Sequence, residues 1–512
     1  MDKDLLAIQE MRTAVKNAKS AQQKFMSFSQ EQVDRIVKAV ADAAYAKSAE
    51  LGRMAAEETG MGVPEHKKIK NEVGSRAVYE SIKDLKTVGV IGEDKGKKVV
   101  EIAAPFGVVA AIIPTTNPTS TAFFKTLISL KTRNAIVVSP HPYAVKCTEA
   151  ALKVCEEAAV EAGAPPGLVQ CLTMASMDAT QQLMKHRDVN VILATGGSAL
   201  VRAAYSSGKP AYGVGPGNVP VYIERTAKIE KAVENIVNSK SFDYGTICAT
   251  EQAIVIDHNV KERIVRELKK NGAYILNAEE KEKMEKVISP VPGKVNPKIV
   301  GKSPQTIADL AGITIPEGTR VLIGEETEVG KDIPFSLEKL SPVFAMYTAR
   351  DSNHAKELCL SLLYLGGRGH SLSLHTENDK VAREFAIEMP VSRILVNTMS
   401  SIGAVGGTTG LLPSMTLGCG TFGGNITSDN VSAKHLLNIK RMAYGIKEVD
   451  LPKLTTAVKP KPADQTEEIV KEVLKSVNGA SKVDPKMVSE LVEQIVNQIQ
   501  KQKQFLGGNN DE

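Results

Sequence analysis

The stretch Pro105-Phe-Gly-Val-Val-Ala-Ala-Ile-Ile113 constrains the fold more than any other. A near-continuous apolar run of this kind suits a strand buried on both faces of a parallel sheet. It ends in Pro114-Thr-Thr-Asn-Pro118, a rigid loop at the point where an open α/β sheet presents ligand-facing groups. The alternation then repeats. Thr119 to Lys131 reads as a helix, Asn134-Ala-Ile-Val-Val138 as a strand closed by Ser139-Pro-His-Pro142, and 143–162 as a helix. Strands at Leu168–Leu172 and Val189–Leu193 bracket a helix around Ala179–Lys185, and the turn Ala194-Thr-Gly-Gly197 opens another. Repeated β-α units predict a parallel, nucleotide-binding sheet. Neither glycine cluster is a G-x-G-x-x-G fingerprint, and Gly196-Gly197 alone suits a strand-to-helix turn as well as a phosphate site.

Before this sheet, Leu5 to about Leu85 is helical in pattern. Ser29 and Gln32 form a capping box, with Phe28 and Val33 spaced as a hydrophobic staple. That region reads as scaffold without chemistry. Val88–Ile91 and Val99–Ile102 read as two strands joined by a polar turn. Gly213-Val-Gly-Pro-Gly-Asn218 is denser in glycine than a loop needs, and permits close backbone approach to a ligand or a neighbouring loop.

Cys248 follows Tyr244-Gly245-Thr246 and precedes the buried-strand pattern Ala253-Ile-Val-Ile-Asp257. A cysteine on such a turn is either a nucleophile served by backbone N–H groups or a small inert core residue. The alternation resumes after it, through a helix at Val260–Asn271, a strand ending at Tyr347, a helix at Ser352–Leu363 and strands near Gly366–His375 and Arg393–Asn397. Ser400–Gly424 reads as a long loop shaping a pocket mouth. His370 and His375 read as structural or surface residues. The other five cysteines read as core filler, although Cys419 lies in the glycine-rich loop within reach of a substrate mouth.

Composition narrows the class. A chain of 512 residues exceeds what one hydrophobic core sustains, so several domains are expected. The net charge of +5 without an aromatic-interleaved basic patch argues against a nucleic-acid partner. Six scattered cysteines suggest a reducing compartment, hence a cytoplasmic location. No secretory core or membrane-length apolar run is present. Eight histidines show no metal-ligand spacing with the cysteines, so no metal is expected.

Asn117 in its Pro-Thr-Thr-Asn-Pro loop, Thr195-Gly-Gly197, the Cys248 segment and Glu338-Lys-Leu-Ser-Pro-Val343 stand in an order that resembles the aldehyde dehydrogenase superfamily. Ser139-Pro-His-Pro142, Gly213-Val-Gly-Pro-Gly-Asn218 and Ser241-Phe-Asp-Tyr-Gly-Thr-Ile-Cys248 resemble its coenzyme A-acylating branch, which includes microcompartment-associated acetaldehyde and propionaldehyde dehydrogenases. The resemblance implies an α/β fold with three parts. These are N-terminal helices plus a Rossmann-type nucleotide-binding domain over 1–240, a catalytic thiol domain over 241–425, and a small β oligomerisation unit from hairpin 88–102 and a return segment at 426–450. It implies Cys248 as nucleophile, with the Asn117 amide and the Cys248 backbone N–H stabilising the oxyanion. Thr115, Ser139, His141, Thr195, Gly196, Gly197 and Glu338 would serve the cofactor. His141 either faces the nucleotide or caps its own loop, while Glu338 would accept hydrogen bonds from the nicotinamide ribose. NAD is favoured and NADP stays open, because no acidic residue is evident at the adenosine ribose. Gly213 stands where hydrolytic relatives carry their glutamate base. Coenzyme A would therefore take the acyl group, with acetaldehyde or propanal as substrate. The alternatives are a hydrolytic dehydrogenase and a catalytically silent scaffold. A homo-oligomer, dimer or tetramer, is implied.

After about Asp450 the composition changes. Residues 451–462 read as an extended linker. Two amphipathic stripes follow, one through Ile469, Val470, Val473, Leu474 and Val477, the other through Met487, Val488, Leu491, Val492, Ile495, Val496 and Ile499. The 451–512 tail is similar to the targeting helices of microcompartment cargo, implying a shell-protein partner and a place inside a bacterial microcompartment.

Overall fold

A computed structural model describes residues 2–451, 471–473, 475 and 484–506 of the chain. Residues 1–444 and 445–512 form separate units. Three sheets organise the first unit.

The smallest sheet is antiparallel. β1 (Gly89–Asp94) pairs with β2 (Val99–Pro105), the expected hairpin. The nucleotide-binding pattern becomes five parallel strands: β3 (Val108–Ile112), β4 (Ala135–Ser139), β5 (Val169–Cys171), β6 (Val191–Thr195) and β7 (Ala211–Val214). Their order is β5-β4-β3-β6-β7. The chain starts in the middle, steps outward to β5, then returns past β3 to β6. The gap between β3 and β6 is therefore the topological switch point, where an open α/β sheet binds its ligand.

A second parallel sheet has seven strands. They are β8 (Val219–Ile223), β9 (Glu251–Asp257), β10 (Ala273–Ile275), β11 (Val321–Glu325), β12 (Val343–Ala349), β13 (Gly369–His375) and β14 (Val391–Val396). Their order is β10-β11-β12-β9-β8-β13-β14. The last strand, β15 (Leu437–Ala443), returns to pair with β2.

The first sheet ends earlier than the boundary expected at 240. β8 and the helix Ile229–Ser241 already belong to the second sheet, so the crossover falls in the 215–218 loop. Pro220 hides this in the sequence, because proline argues against a central strand. A register shift between Val219 and Pro220 accommodates it.

The capping box at Ser29 forms as expected, with the Gln32 N–H donating to Ser29 Oγ and the Ser29 N–H to Gln32 Oε1. The N-terminal helices pack with the first sheet into one core, and two further cores cover the faces of the second. The helix Pro118–Lys131 is buried along its whole length. Its two lysines are satisfied internally: Lys125 donates to the carbonyls of Ile112 and Leu193, both at 2.8 Å, and Lys131 reaches Asp34 at 2.6 Å. In the second unit Pro485–Leu506 forms one helix. The 452–470 stretch and most of the first tail stripe lie outside the described residues. No helix among the described residues is long and apolar enough to cross a membrane.

Candidate active site

A cavity of ≈ 550 Å³ opens at the switch point. The loop after β3 supplies Thr115 and Asn117, the loop after β4 supplies Ser139 and His141, and the turn after β6 supplies Thr195, Gly196 and Gly197. Cys248, ahead of β9, and Glu338, ahead of β12, complete the wall. All nine candidate residues thus line one cavity, between carboxyl ends of the first sheet and segments preceding strands of the second.

Cys248 has a partner that sequence reasoning placed elsewhere. His370, the second residue of β13, is fully buried, with Nε2 3.2 Å from Cys248 Sγ. Its Nδ1 lies 3.0 Å from Ser371 Oγ. Arg393 braces this corner, donating to the carbonyls of His370 at 2.9 Å and Gly418 at 2.8 Å. Burial pushes the Cys248 thiol up to about 12, with Glu338 and Cys419 adding to the rise against Arg393. Burial, helped by Arg393, pushes the His370 imidazole well below its usual range. The resting pair is therefore neutral thiol beside neutral imidazole. In the tautomer that donates Nδ1–H to Ser371 Oγ, Nε2 is the acceptor able to take the thiol proton.

The glycine-rich loop approaches its neighbour, not an open space. A Cβ at Gly217 would overlap the Cys248 carbonyl oxygen, and the Gly217 N–H donates to Glu338 Oε1 at 2.6 Å. Gly213 does not face the cavity. It packs beneath the helix Ser198–Tyr205, its N–H donating to Tyr205 Oη at 3.0 Å, whereas Val214 and Gly215 line the wall. Strand alternation turns one residue to each side, so the position expected for Gly213 belongs to Val214. Neither carries a carboxylate. Glu338 is the one charged side chain among the described residues lining the cavity, and burial raises its carboxyl against the pull of the Gly217 N–H.

Asn117 is held from an unexpected direction. Its Oδ1 accepts from Lys70 Nζ at 2.6 Å, while Nδ2 donates to Thr116 Oγ1 at 3.0 Å and to the Thr246 carbonyl at 3.4 Å. The N-terminal helices, read as scaffold, thus reach the site. A lysine spacing such as Lys67 and Lys70 ordinarily marks a solvated face. The available signals were Asp243, a carboxylate inside an apolar segment, and for His370 its place at the head of a strand after a glycine turn.

Other residues sort by geometry. Ser139 Oγ lies 2.7 Å from Thr180 Oγ1. His141 both caps and lines, its Nδ1 accepting from the Tyr143 N–H at 3.2 Å. Thr195 Oγ1 is 3.4 Å from Thr416 Oγ1. Cys419 is buried in the apolar cluster against which Cys248 packs, and His375 is buried at the end of β13. The helix Ser198–Tyr205 begins at Gly197 with no side-chain cap and no acid in its first turn. Its N-terminal N–H groups are suited to a pyrophosphate, and buried Glu338 to ribose hydroxyls. The cavity therefore fits a dinucleotide.

The pattern of the aldehyde dehydrogenase family matches residues 6–416. The chain belongs to that family. An acetylating aldehyde dehydrogenase from Geobacillus thermoglucosidasius is 54% identical with a TM-score of 0.87, over 88% of this chain and 100% of that one. Two propionaldehyde dehydrogenases are 30% identical over 85% of this chain. One is from the fucose-utilisation microcompartment of Clostridium phytofermentans (TM-score 0.78, 97% of that chain). The other, from Rhodopseudomonas palustris, carries bound CoA and an acylated cysteine (TM-score 0.77, 97% of that chain). The bifunctional aldehyde-alcohol dehydrogenase of Escherichia coli is 46% identical over 441 residues, 85% of this chain but 49% of the relative. The chain thus spans about half the length of that curated relative. Among aldehyde dehydrogenases it falls in the acylating branch.

The neutral thiol has a measurable consequence for this aldehyde dehydrogenase. Alkylation of Cys248 by iodoacetamide in the ligand-free protein should rise about tenfold per pH unit up to pH ~9, as the thiolate fraction grows below a raised pKa. Peptide mass spectrometry reads the site. A plateau below pH ~8 would mean a preformed thiolate and contradict the neutral pair.

Proposed function

We propose that this chain oxidises a short aliphatic aldehyde, acetaldehyde or propanal, to its acyl-CoA with NAD⁺ as oxidant, reversibly. The observation that carries the proposal is Cys248 paired with His370 beside a wall without a free carboxylate. The Cys248 sulfur bonds to the aldehyde carbon while its proton passes to His370 Nε2. The Asn117 amide and the Cys248 N–H stabilise the oxyanion. When bound, the dinucleotide supplies the hydride acceptor, held by the 197–198 helix start, the 139–141 loop and Glu338. Loss of hydride leaves a thioester on Cys248. His370 releases the proton it took from Cys248 to solvent. The thiol of coenzyme A then gives its proton to His370 and attacks the thioester carbon. The Cys248 sulfur leaves, taking the proton back from His370 as the thiol is restored. The balance is aldehyde, CoA and NAD⁺ to acyl-CoA, NADH and a proton.

Apolar neighbours of Cys248, among them Phe242, Ile247 and Leu417, support a short aliphatic substrate. Apart from Glu338, assigned to the nicotinamide ribose, the lining holds no acid to exclude a 2′-phosphate and no Lys or Arg to bind one, so NADP is the alternative oxidant. A hydrolytic outcome has one observation in its favour, since His370 can orient water as well as a thiol. NADH formation from propanal separates the two. Sustained turnover is expected only with coenzyme A and is expected to vanish in Cys248→Ala. Steady turnover without coenzyme A, yielding propionate, would favour hydrolysis.

The chain is also proposed to form a homo-oligomer and to enter a microcompartment. β15 is exposed beyond Leu437, with apolar Ile439 and Met442 uncovered, which supports pairing with a second copy. Met487, Leu491, Ile495 and Ile499 form an exposed i, i+4 stripe on the Pro485–Leu506 helix, which supports docking on a shell protein. The match to a microcompartment enzyme supports the same location. Deleting residues 453–512 should leave the sedimenting oligomer and soluble turnover unchanged but end co-purification with shells. A monomer throughout, or lost turnover, would contradict these assignments.

A further inference from the structure

The helix Pro64–Glu72 and the π-turn Val73–Ala77 lie far from Cys248 in sequence and directly against its loop in space. The contact with the start of helix Pro118–Lys131 is tight. Gly74 is so close that a Cβ would press 2.5 Å from the Ser120 carbonyl oxygen. Thr119 Oγ1 donates to Asn71 Oδ1 at 2.7 Å, and Lys67 Nζ to the Thr116 carbonyl at 3.1 Å. The same helix grips the turn ahead of Cys248. There Asp243, Tyr244 and Gly245 have φ of 48°, 51° and 74°, three consecutive residues in a region that disfavours side chains. Asp243 is fully buried and accepts from Lys67 at 3.1 Å, from Lys70, from Thr246 Oγ1 at 2.7 Å and from the Val63 N–H at 2.7 Å. Its own N–H donates to His66 Nδ1 at 2.8 Å.

Lys67 and Lys70 both join the two halves of this arrangement, Lys67 through the Thr116 backbone carbonyl and Lys70 through the Asn117 side chain itself. The Lys70 ammonium has three donors, and three partners receive them: Asp243 Oδ2, Thr246 Oγ1 at 2.8 Å and Asn117 Oδ1 at 2.6 Å. No donor remains for a substrate. An amide oxygen fixed on a cation keeps the amide nitrogen on the Cys248 side. There one N–H meets Thr116 Oγ1 at 3.0 Å and the other makes a long 3.4 Å contact with the Thr246 carbonyl, the weaker bond and the one a substrate oxyanion would replace. The cation also withdraws charge from that amide, strengthening Nδ2–H as a donor. Without it, the rotamer is held only from the nitrogen end, by Thr116 Oγ1 and the long contact to the Thr246 carbonyl. Burial pushes the Lys70 ammonium down to about 8 against the pull of Asp243, and a thiolate at Cys248 would favour its protonated form.

We infer that Lys70 is a positioning residue for the oxyanion site, acting through Asn117 by fixing and polarising its amide, with Asp243 as the anchor. The inference rests on the functional reading above and extends it to a residue outside both the cavity wall and the Cys248 segment. It assigns to the N-terminal helices the orientation of a catalytic donor.

A double-mutant cycle of Lys70→Met and Asn117→Ala tests it on the full-length protein, using the single-turnover rate of NADH formation from propanal. Removing one oxyanion donor typically slows the reaction roughly 10²–10³-fold. Lys70→Met should fall toward that range in kcat, with KM for propanal and for NAD⁺ within about threefold of the parent. The double variant should be no slower than Asn117→Ala alone, because Lys70 has nothing left to position. Lys67 still pairs with Asp243 in Lys70→Met. Should that variant fail to fold, Lys70→Gln, which keeps a donor toward Asn117 without the charge, carries the same cycle. Multiplied losses in the double variant, or a rise in KM with kcat unchanged, would overturn the inference while leaving the functional reading intact. A parent protein that forms no NADH from aldehyde would overturn both.

Discussion

A buried aspartate organises the reaction centre. Asp243 lies where an uncompensated charge would cost several kcal/mol, and burial by itself would push its carboxyl up. Lys70 and Lys67 outweigh that and hold it below its usual range. The pairing has geometric consequences. It holds three left-handed residues, 243–245, separated from Cys248 by two residues, so the chain enters the Cys248 position along one path. Through Lys70 it also fixes Asn117, on a loop belonging to the other sheet. Two parallel sheets with separate cores are thereby registered at the place where a carbonyl must meet both a sulfur and a hydrogen-bond donor.

The electrostatics favour restraint over reactivity. Cys248 rests as a thiol and His370 as a neutral imidazole, because burial penalises both charged forms. Proton transfer between them becomes useful when the carbonyl arrives to take up the developing negative charge. The same economy of charge governs the acyl-enzyme. Val214 and Gly215 line the wall without a carboxylate, and Glu338 is engaged by the Gly217 N–H. On the proposed reading, a thioester in such surroundings would meet water without a base to activate it. The 54% identity with an acetylating relative over that whole chain agrees with this chemistry.

Much of the fold was legible because parallel strands buried on both faces declare themselves as apolar runs, as Pro105–Ile113 does. The candidate loops were legible because each follows such a run. What escaped depends on which strand ends meet. His370 read as a structural or surface residue, since nothing local says that the head of β13 abuts the Cys248 turn. Lys67 and Lys70 stayed unmarked in a region read as scaffold, because their counter-ion lies more than 170 residues away. Gly213 and Val214 were exchanged because only the pleat of β7 decides which residue faces the cavity. The early crossover was masked by Pro220 in a strand where proline is rarely tolerated.

The central claim is that Cys248 carries an acyl group that water removes slowly and a thiol removes quickly. Mass spectrometry after acid quench of the protein incubated with propanal and NAD⁺, without coenzyme A, tests this most directly. The account expects a propionyl group on Cys248 that persists, then disappears on addition of coenzyme A as propionyl-CoA forms. An adduct on another residue, no adduct, or one lost equally fast without coenzyme A would contradict it.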